Sequence, residues 1–463
     1  MNKSFDLNIE TVLDNWSVSD ALREIIANAL DEMVITGTNP IEIRPCPNKK
    51  GYYTIRDFGR GLNYMHLTQN ESLEKNSTEG IIGKFGVGLK DAFGVLYRNN
   101  ADVTAQSKYG RISLSMKEKA GFGDITTLNA IVHTPVEPML GTIFEVEASD
   151  EDIQTAKDMF LYFRNANVLD KSSDGEIIEK DNSRDIAYIY VNGVKVAEEE
   201  NFLFDYNITS LSSSLKKAIN RERTNVGRSA YSDSVKKMLL NSSSEQVVDA
   251  LINDVKNFSE GTQADDAKRL DVQSHALKLY NSSNDIMMLS ASESKYMSQN
   301  ALELMHSSYR EVIIISDKLY NLVKGTVDYD GNVIADIYVV SAERAAAYVY
   351  ESIDESLLSD DERAILGYKN QILEFYNMTQ YLNRIFISDE INSSLNNFDT
   401  RGVYLPEKDL IYIKKDVLKD KKEFIDVLSH ELAHALHNHA DNTRAFESDL
   451  GYFISLLGDE VFE

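Results

Sequence analysis

The spacing of apolar and polar positions changes twice along the chain. In the first part, Leu22, Ile25, Ile26, Ala29 and Leu30 recur at helical intervals, which predicts an amphipathic helix over Ala21–Met33 with Ser17 or Ser19 as its cap. A short strand is expected over Tyr52–Arg56, an apolar helix around Ala92 and Phe93, and a strand over Gly141–Val146. Beyond residue 151 the run 170–184 is charged and polar and reads as a loop. Ile186–Val196 reads as two strands around an Asn192-Gly193 turn, and Leu203–Ser210 as another strand. Residues 232–277 are mostly helical in pattern, with polar breaks at 242–244 and 259–263.

The last third resets the pattern. The apolar runs Glu311–Ser316 and Ile337–Val340 predict buried strands. Asp361–Asn383 reads as one or two helices, and Gly402–Leu405 and Asp409–Ile413 as short strands. A helix is expected from Phe424 onward. A second, over Arg444–Leu457, carries Phe446, Leu450, Phe453 and Leu457 as a stripe, after an Asp441-Asn442-Thr443 turn. The expected fold class is therefore α/β and multidomain, divided as 1–150, 151–300 and 301–463, with no internal repeat.

Composition narrows the partners. At 463 residues the chain can bury several cores, and its net charge of −26 argues against a nucleic-acid backbone as partner. Cys46 stands alone, so no internal disulfide can form, which fits a reducing cytoplasm. The first residues lack an apolar leader core, and no run of eighteen apolar residues occurs. A cytoplasmic protein without a membrane partner is expected.

Four of the eight histidines fall between His430 and His439. Within that run, His430-Glu431-x-x-His434 sets two imidazoles one helical turn apart on one face, with a carboxylate beside them. Two imidazoles at this spacing suit Zn²⁺, and Glu431 is placed to take a proton from water at the ion. The third ligand is expected from Glu447 on the following helix, with Asp441, His437 and His439 as rivals and Asp449 as a supporting partner. The metzincin pattern is excluded, because Ala440 stands at its ligand position and His437 at its glycine position. A small sheet, an HExxH helix and a second helix bearing Glu447 resemble the compact gluzincin peptidases, which implies a C-terminal α+β zincin domain. In such folds an edge strand pairs with an extended substrate. Asp409–Ile413 is the candidate, and Tyr404 or Tyr412 the candidate oxyanion partner.

The first 150 residues carry four motifs in order: Glu24-x-x-x-Asn28-x-x-Asp31, Asp57-x-Gly59-x-Gly61, Gly83-Lys84-x-Gly86-x-Gly88 and Gly141-Thr142. Together they resemble the GHKL ATPase superfamily, which includes gyrase, the ninety-kilodalton heat-shock chaperone, histidine kinases, MutL and MORC proteins. The resemblance implies an ATP-binding α/β sandwich. Asn28 offers an oxygen to Mg²⁺, Asp57 accepts from the adenine amine, Thr142 supports that contact, and Glu24 is the general base. Asp31 completes the first box. The glycines let backbone approach the nucleotide, phosphates sit at the helix that follows Gly88, and Lys84 and Lys90 face phosphate charge. Residues 63–79 read as part of a lid.

A middle transducer-like α/β region with helices is expected to send a basic residue to the γ-phosphate, with Lys216, Lys217, Arg221 and Arg223 as candidates. A histidine kinase is excluded, because only Met1–Arg23 precede the first motif. The two resemblances together imply an ATP-regulated zinc metallopeptidase that acts on a protein or peptide and forms a nucleotide-dependent homodimer. The alternative is a chaperone-like ATPase whose zincin fold binds peptides without cleaving them.

Overall fold

A computed structural model describes residues 3–7, 15–67, 81, 88–119, 122–134, 136–181, 183–219, 226–260, 263–296, 311–340, 343, 348–391, 400–439, 441 and 443–462. The architecture is mixed α/β with several sheets. The chain separates into two compact units, Met1–Tyr280 and Asn281–Glu463. The division falls before the boundary expected near 300, because strand β13 (Ile286–Ser290) pairs in parallel with β14 (Glu311–Ile315) and so belongs with the C-terminal unit.

The N-terminal unit starts with an antiparallel sheet in the order β1-β6-β5-β4-β7-β3-β2. Its strands are β1 (Lys3–Asp6), β2 (Glu42–Pro45), β3 (Tyr52–Arg56), β4 (Val103–Ser107), β5 (Gly110–Lys119), β6 (Phe122–His133) and β7 (Thr142–Glu147). Helix α1 (Val18–Thr36) packs against α2 (Gly88–Arg98) and α3 (Asp150–Asp158). The expected stripe does fill the core: Leu22, Ile25, Ile26 and Leu30 are buried with Phe93, Leu96, Ile55, Phe144 and Val146. Ser17 caps α1 in a reciprocal box with Asp20, and Gly37 ends it at φ 60°.

A second sheet in the order β11-β10-β12-β9-β8 follows. Its strands are β8 (Val168–Lys171), β9 (Gly175–Glu179), β10 (Ala187–Val191), β11 (Val194–Glu199) and β12 (Phe204–Ile208). The β10–β11 turn has Asn192 at φ 47° and Gly193 at φ 82°, the two left-handed residues that a tight hairpin of this type needs. The expected loop over 170–184 instead contains the end of β8 and all of β9. Ile177 and Ile178 are buried, and their charged flanks hid a two-stranded return that turns through Gly175 at φ 152°. Helix α4 (Ser213–Ala218) leaves the sheet. Helices α5 (Ser232–Asn241) and α6 (Glu245–Lys256) then cover β9, β12 and β8, and α7 (Leu270–Ser283) closes the unit.

In the C-terminal unit α8 (Ala291–Tyr296) follows β13, and α9 (Asp317–Val323) follows β14. The expected strand at 337–340 is a helical turn. Asp336 accepts hydrogen bonds from the N–H groups of Tyr338 and Val339 and so starts it, while Ile337 and Val340, three apart, are both buried. Helices α10 (Asp360–Leu366) and α11 (Tyr368–Phe375) lead to a three-stranded sheet in the order β15-β17-β16. Here β15 is Ile385–Ser388, β16 Gly402–Leu405 and β17 Leu410–Lys414. Against it pack α12 (Lys421–His437) and, on α12, α13 (Arg444–Phe462), around Phe424, Leu428, Leu432, Phe446 and Phe453.

Candidate functional site

Helix α12 is capped at its start by Asp420, whose side chain accepts from the Glu423 N–H. Its buried face (Phe424, Leu428, Leu432) meets the sheet, which turns His430 and His434 into a cleft of about 550 Å³. The two imidazole Nε2 atoms lie 3.2 Å apart. Asp441 Oδ1 lies 3.1 Å from the first and 3.2 Å from the second. The other nitrogen of His434, Nδ1, is 2.7 Å from the His439 carbonyl oxygen, so it carries the proton and leaves Nε2 facing the carboxylate. Phe446 stacks on His434 with centroids 4.2 Å apart and fixes the ring plane.

Glu447, the expected third ligand, is not in this group. The same turn of α13 directs Phe446 inward and leaves Glu447 exposed, and Asp441, from the connecting turn, supplies the carboxylate instead. His437 and His439, the other rivals, meet Asp449 in a group of their own. Two imidazole nitrogens and one carboxylate oxygen converging from one side form a donor set that fits Zn²⁺ and leaves the cleft side open.

Glu431 is 6% exposed, and burial raises its pKa to about 8 against an opposing hydrogen bond from the Tyr404 N–H. That bond shows how the sheet meets the helix. Arg401 and Leu405 accept from the N–H groups of Lys414 and Asp409, each at 2.8 Å, so alternation turns the main-chain groups of Gly402 and Tyr404 away from β17. The expected edge strand, Asp409–Ile413, is therefore corrected. β17 lies between β15 and β16, and β16 is the edge strand that lines the cleft. Gly402 has to be small, since a Cβ there would sit 2.7 Å from both Glu431 Cγ and Val427 Cγ1. The Tyr404 hydroxyl is bonded to Asp409 at 3.0 Å, and Tyr412 stacks on Phe386. Neither is aimed as an oxyanion partner.

The N-terminal motifs partly converge. Asp57 ends β3 buried, and its Oδ1 accepts from the N–H groups of Gly59 at 2.9 Å and Thr142 at 3.2 Å. Burial nonetheless raises its pKa, because desolvation outweighs these bonds. The Thr142 hydroxyl accepts from the Leu62 N–H at 3.0 Å. Gly141, at φ 73°, packs so closely that a Cβ would lie 1.9 Å from the Asp57 carbonyl oxygen, and Gly61 sits at φ 90°. Glu24 and Asp31 are buried on α1, and Asn28 Nδ2 donates to the Glu24 carbonyl at 2.7 Å, committing the amide nitrogen rather than its oxygen to the helix.

Gly88 opens α2 directly against Glu24, whose Oε2 lies 2.0 Å from where a Cβ would be, and Lys90 is buried two residues on. No motif points to Arg23, a buried cation that donates to Glu24 at 3.2 Å and lies over Trp16. Gly83, Lys84, Gly86, Arg221 and Arg223 lie outside the described residues. Lys216 and Lys217 are exposed on α4. Among the described residues, no helix is long and apolar enough to cross a membrane.

Residues 151–245, which hold α3, the five-stranded sheet and α5, match the family described as the Mycoplasma pneumoniae MPN635 N-terminal domain. The chain is also similar to two uncharacterized proteins of Mycoplasma pneumoniae. One is 21% identical over 342 residues, which is 67% of this chain and 93% of that protein. The other is 38% identical over 246 residues, 51% of this chain and 96% of that protein. With nearly the whole length of the second relative covered at that identity, the chain belongs to the same family as this uncharacterized Mycoplasma pneumoniae protein.

Proposed function

We propose that this protein is an ATP-regulated zinc metallopeptidase, with nucleotide binding or turnover in the N-terminal unit gating peptide-bond hydrolysis in the C-terminal unit. The observation that carries the reading is the convergence of His430, His434 and Asp441 within 3.1–3.2 Å beside the buried Glu431. Zinc held by those three side chains supplies a Lewis acid for a peptide carbonyl and makes water acidic enough to attack it near neutral pH. Glu431, whose carboxyl a dication in the cleft would return toward its ordinary range, takes the proton of the attacking water and delivers it to the amide nitrogen as the C–N bond breaks. An extended substrate adds to the outer edge of β16 through the main-chain groups of Gly402 and the carbonyl of Tyr404. This zincin-like reading of the C-terminal unit makes an intact Glu431 necessary, which a module that only held peptides would not require.

In the N-terminal unit, Asp57, Gly59, Gly61 and Thr142 form the adenine end of a GHKL-type site. Glu24, Asn28 and Gly88 form its phosphate end, with Asn28 toward Mg²⁺ and Glu24 as general base. Closure over ATP and pairing of two copies set whether the cleft admits substrate, and coupling requires that ATP bind one of those states better than the other. The test incubates zinc-loaded protein with a mixed cytosolic proteome, with and without Mg-ATP, beside Glu431→Gln and Glu24→Ala. Cleavage that needs ATP and falls about 10²–10⁴-fold in Glu431→Gln is expected. ATP turnover and bound zinc without cleavage in any condition would replace this reading with a peptide-binding, chaperone-like ATPase.

A further inference from the structure

A second group of ligand-type side chains lies where α12 gives way to α13. His437 ends α12, Asn438 turns the chain at φ 56°, and His439 follows, which brings the two imidazoles to the same side with centroids 5.6 Å apart. Asp449 reaches them from α13. Its Oδ1 is 2.8 Å from His437 Nδ1 and its Oδ2 2.7 Å from His439 Nδ1. The Asp449 side chain is 9% exposed, whereas those of His437 and His439 are 56% and 39% exposed, so the group is held by protein on one side and open to solvent on the other.

We propose that His437, His439 and Asp449 form a second site for a divalent first-row transition ion such as zinc, distinct from the His430–His434–Asp441 cluster. Two imidazoles and a carboxylate are the donor set such ions take. Ligand bonds of about 2 Å place neighbouring donors roughly 2.8–3.4 Å apart, and the candidate ligand atoms here lie within 4.8 Å of one another, with nitrogen–oxygen contacts of 2.7–2.8 Å, so a small adjustment of the exposed rings admits an ion. Both rings present the same nitrogen to one buried carboxylate, and the left-handed Asn438 is the local feature that lets residues two apart do so. Solvent on the open side completes the coordination. The one carboxylate of the group, Asp449, is taken up as a ligand and is not left to act as a base, and the role of the site is structural: it closes the α12–α13 turn.

That closure bears on the first cluster. The His439 carbonyl accepts from His434 Nδ1 at 2.7 Å, so an ion that fixes His439 also fixes the ring of His434 with Nε2 toward Asp441. His437, His439 and Asp449 are thus positioning residues for the first cluster as well as ligands. The rival is a plain clasp, in which Asp449 only accepts two hydrogen bonds. The proposal does not depend on the peptidase reading.

The test strips the full chain with a chelator and titrates it with Co²⁺, following ligand-field absorption and stoichiometry, with Zn²⁺ competition against a chromophoric chelator as a second measure. Wild type is expected to bind two ions. His437→Gln/His439→Gln, at exposed rings, is expected to bind one, as is His430→Gln/His434→Gln, with far-UV circular dichroism reporting the fold of each. Asp449→Asn keeps an acceptor for the rings but loses the charge, so it is expected to weaken one site by at least tenfold. A clasp would not give that loss. If His437→Gln/His439→Gln binds as many ions as wild type, the proposal is overturned. It is equally overturned if wild type binds none. If wild type binds one ion that survives in His430→Gln/His434→Gln and is lost in His437→Gln/His439→Gln, this site stands and the metallopeptidase reading falls.

Discussion

At the scale of single residues, close approach and burial decide what each position tolerates. Gly402 is the sharpest case. A Cβ there meets Glu431 Cγ and Val427 Cγ1, and the β-branched Val427 has little rotamer freedom to retreat on a helix. Glu431 must therefore move. Gly402→Ala is expected to cut peptide hydrolysis at least tenfold while zinc content stays unchanged, and wild-type turnover in the zinc-loaded variant would remove Glu431 from the chemistry. Asp266 gives a prediction for the N-terminal unit. It is buried and accepts from the Leu203 N–H at 3.1 Å and the Tyr206 hydroxyl at 2.7 Å, yet burial dominates and raises its pKa from 3.8 to about 6. A carboxyl group whose folded pKa is raised favours the folded state when protonated. That stabilisation is complete below pH 3.8 and is lost as pH rises through about 6. The loss amounts to about 3 kcal/mol at most. Asp266→Asn should gain on wild type by up to that amount between pH 4.5 and 7 in denaturant unfolding. Parallel pH profiles for the two proteins would refute the assignment.

At the scale of elements, β16 is the piece on which the C-terminal cleft depends. Because the Tyr404 N–H points away from β17 and toward Glu431, Tyr404→Pro removes no bond of the ladder. The sheet should survive, with unfolding temperature and metal content near those of Tyr404→Ala, which loses the same ring and its hydroxyl bond to Asp409, while hydrolysis falls further because Glu431 loses a donor. A variant that unfolds where Tyr404→Ala folds would place that N–H inside the sheet. The sequence made these elements legible to different degrees. The stripe of α1 and the Asn192-Gly193 turn are readable because the first buries one face and the second needs positive φ. The loop expected over 170–184 hid β8 and β9, whose two adjacent buried isoleucines break the alternation that marks a half-exposed strand. The helical turn at 337–340 looked like a strand because four apolar or aromatic residues in a row have no visible period, and only the Asp336 cap distinguishes it. Strand order cannot be read from such runs at all. Position in the chain made Asp409–Ile413 look like the edge, whereas the parallel pairing of β15 put β17 in the middle. The carboxylate beside the two imidazoles is hidden for a similar reason: helical spacing says that Glu447 is on α13 but not which way its first turn faces, and Asp441 lies in the turn before it.

At the scale of the whole molecule, the proposal stands or falls on coupling between two units that each bury their own core. Independent units would respond independently. Mg-ATP at a hundredfold excess over its dissociation constant would stabilise the N-terminal unit by about 2.7 kcal/mol and leave the C-terminal unit untouched. Gating demands more. A tenfold effect of ATP on peptide affinity corresponds to a coupling free energy of about 1.4 kcal/mol, and linkage requires the peptide to change ATP affinity by the same factor. The reciprocal measurement avoids turnover altogether. In zinc-loaded Glu431→Gln, titration calorimetry with a non-hydrolysed ATP analogue is expected to give at least tenfold different affinity with and without a saturating extended peptide, in the same direction as the effect of ATP on cleavage by wild type. The same titration in Gly402→Ala, with Glu431 displaced but the N-terminal unit unaltered, should lose the peptide's effect to the extent that peptide binding itself is lost. Analogue affinities that agree within twofold with and without bound peptide would leave two activities on one chain with no gate between them.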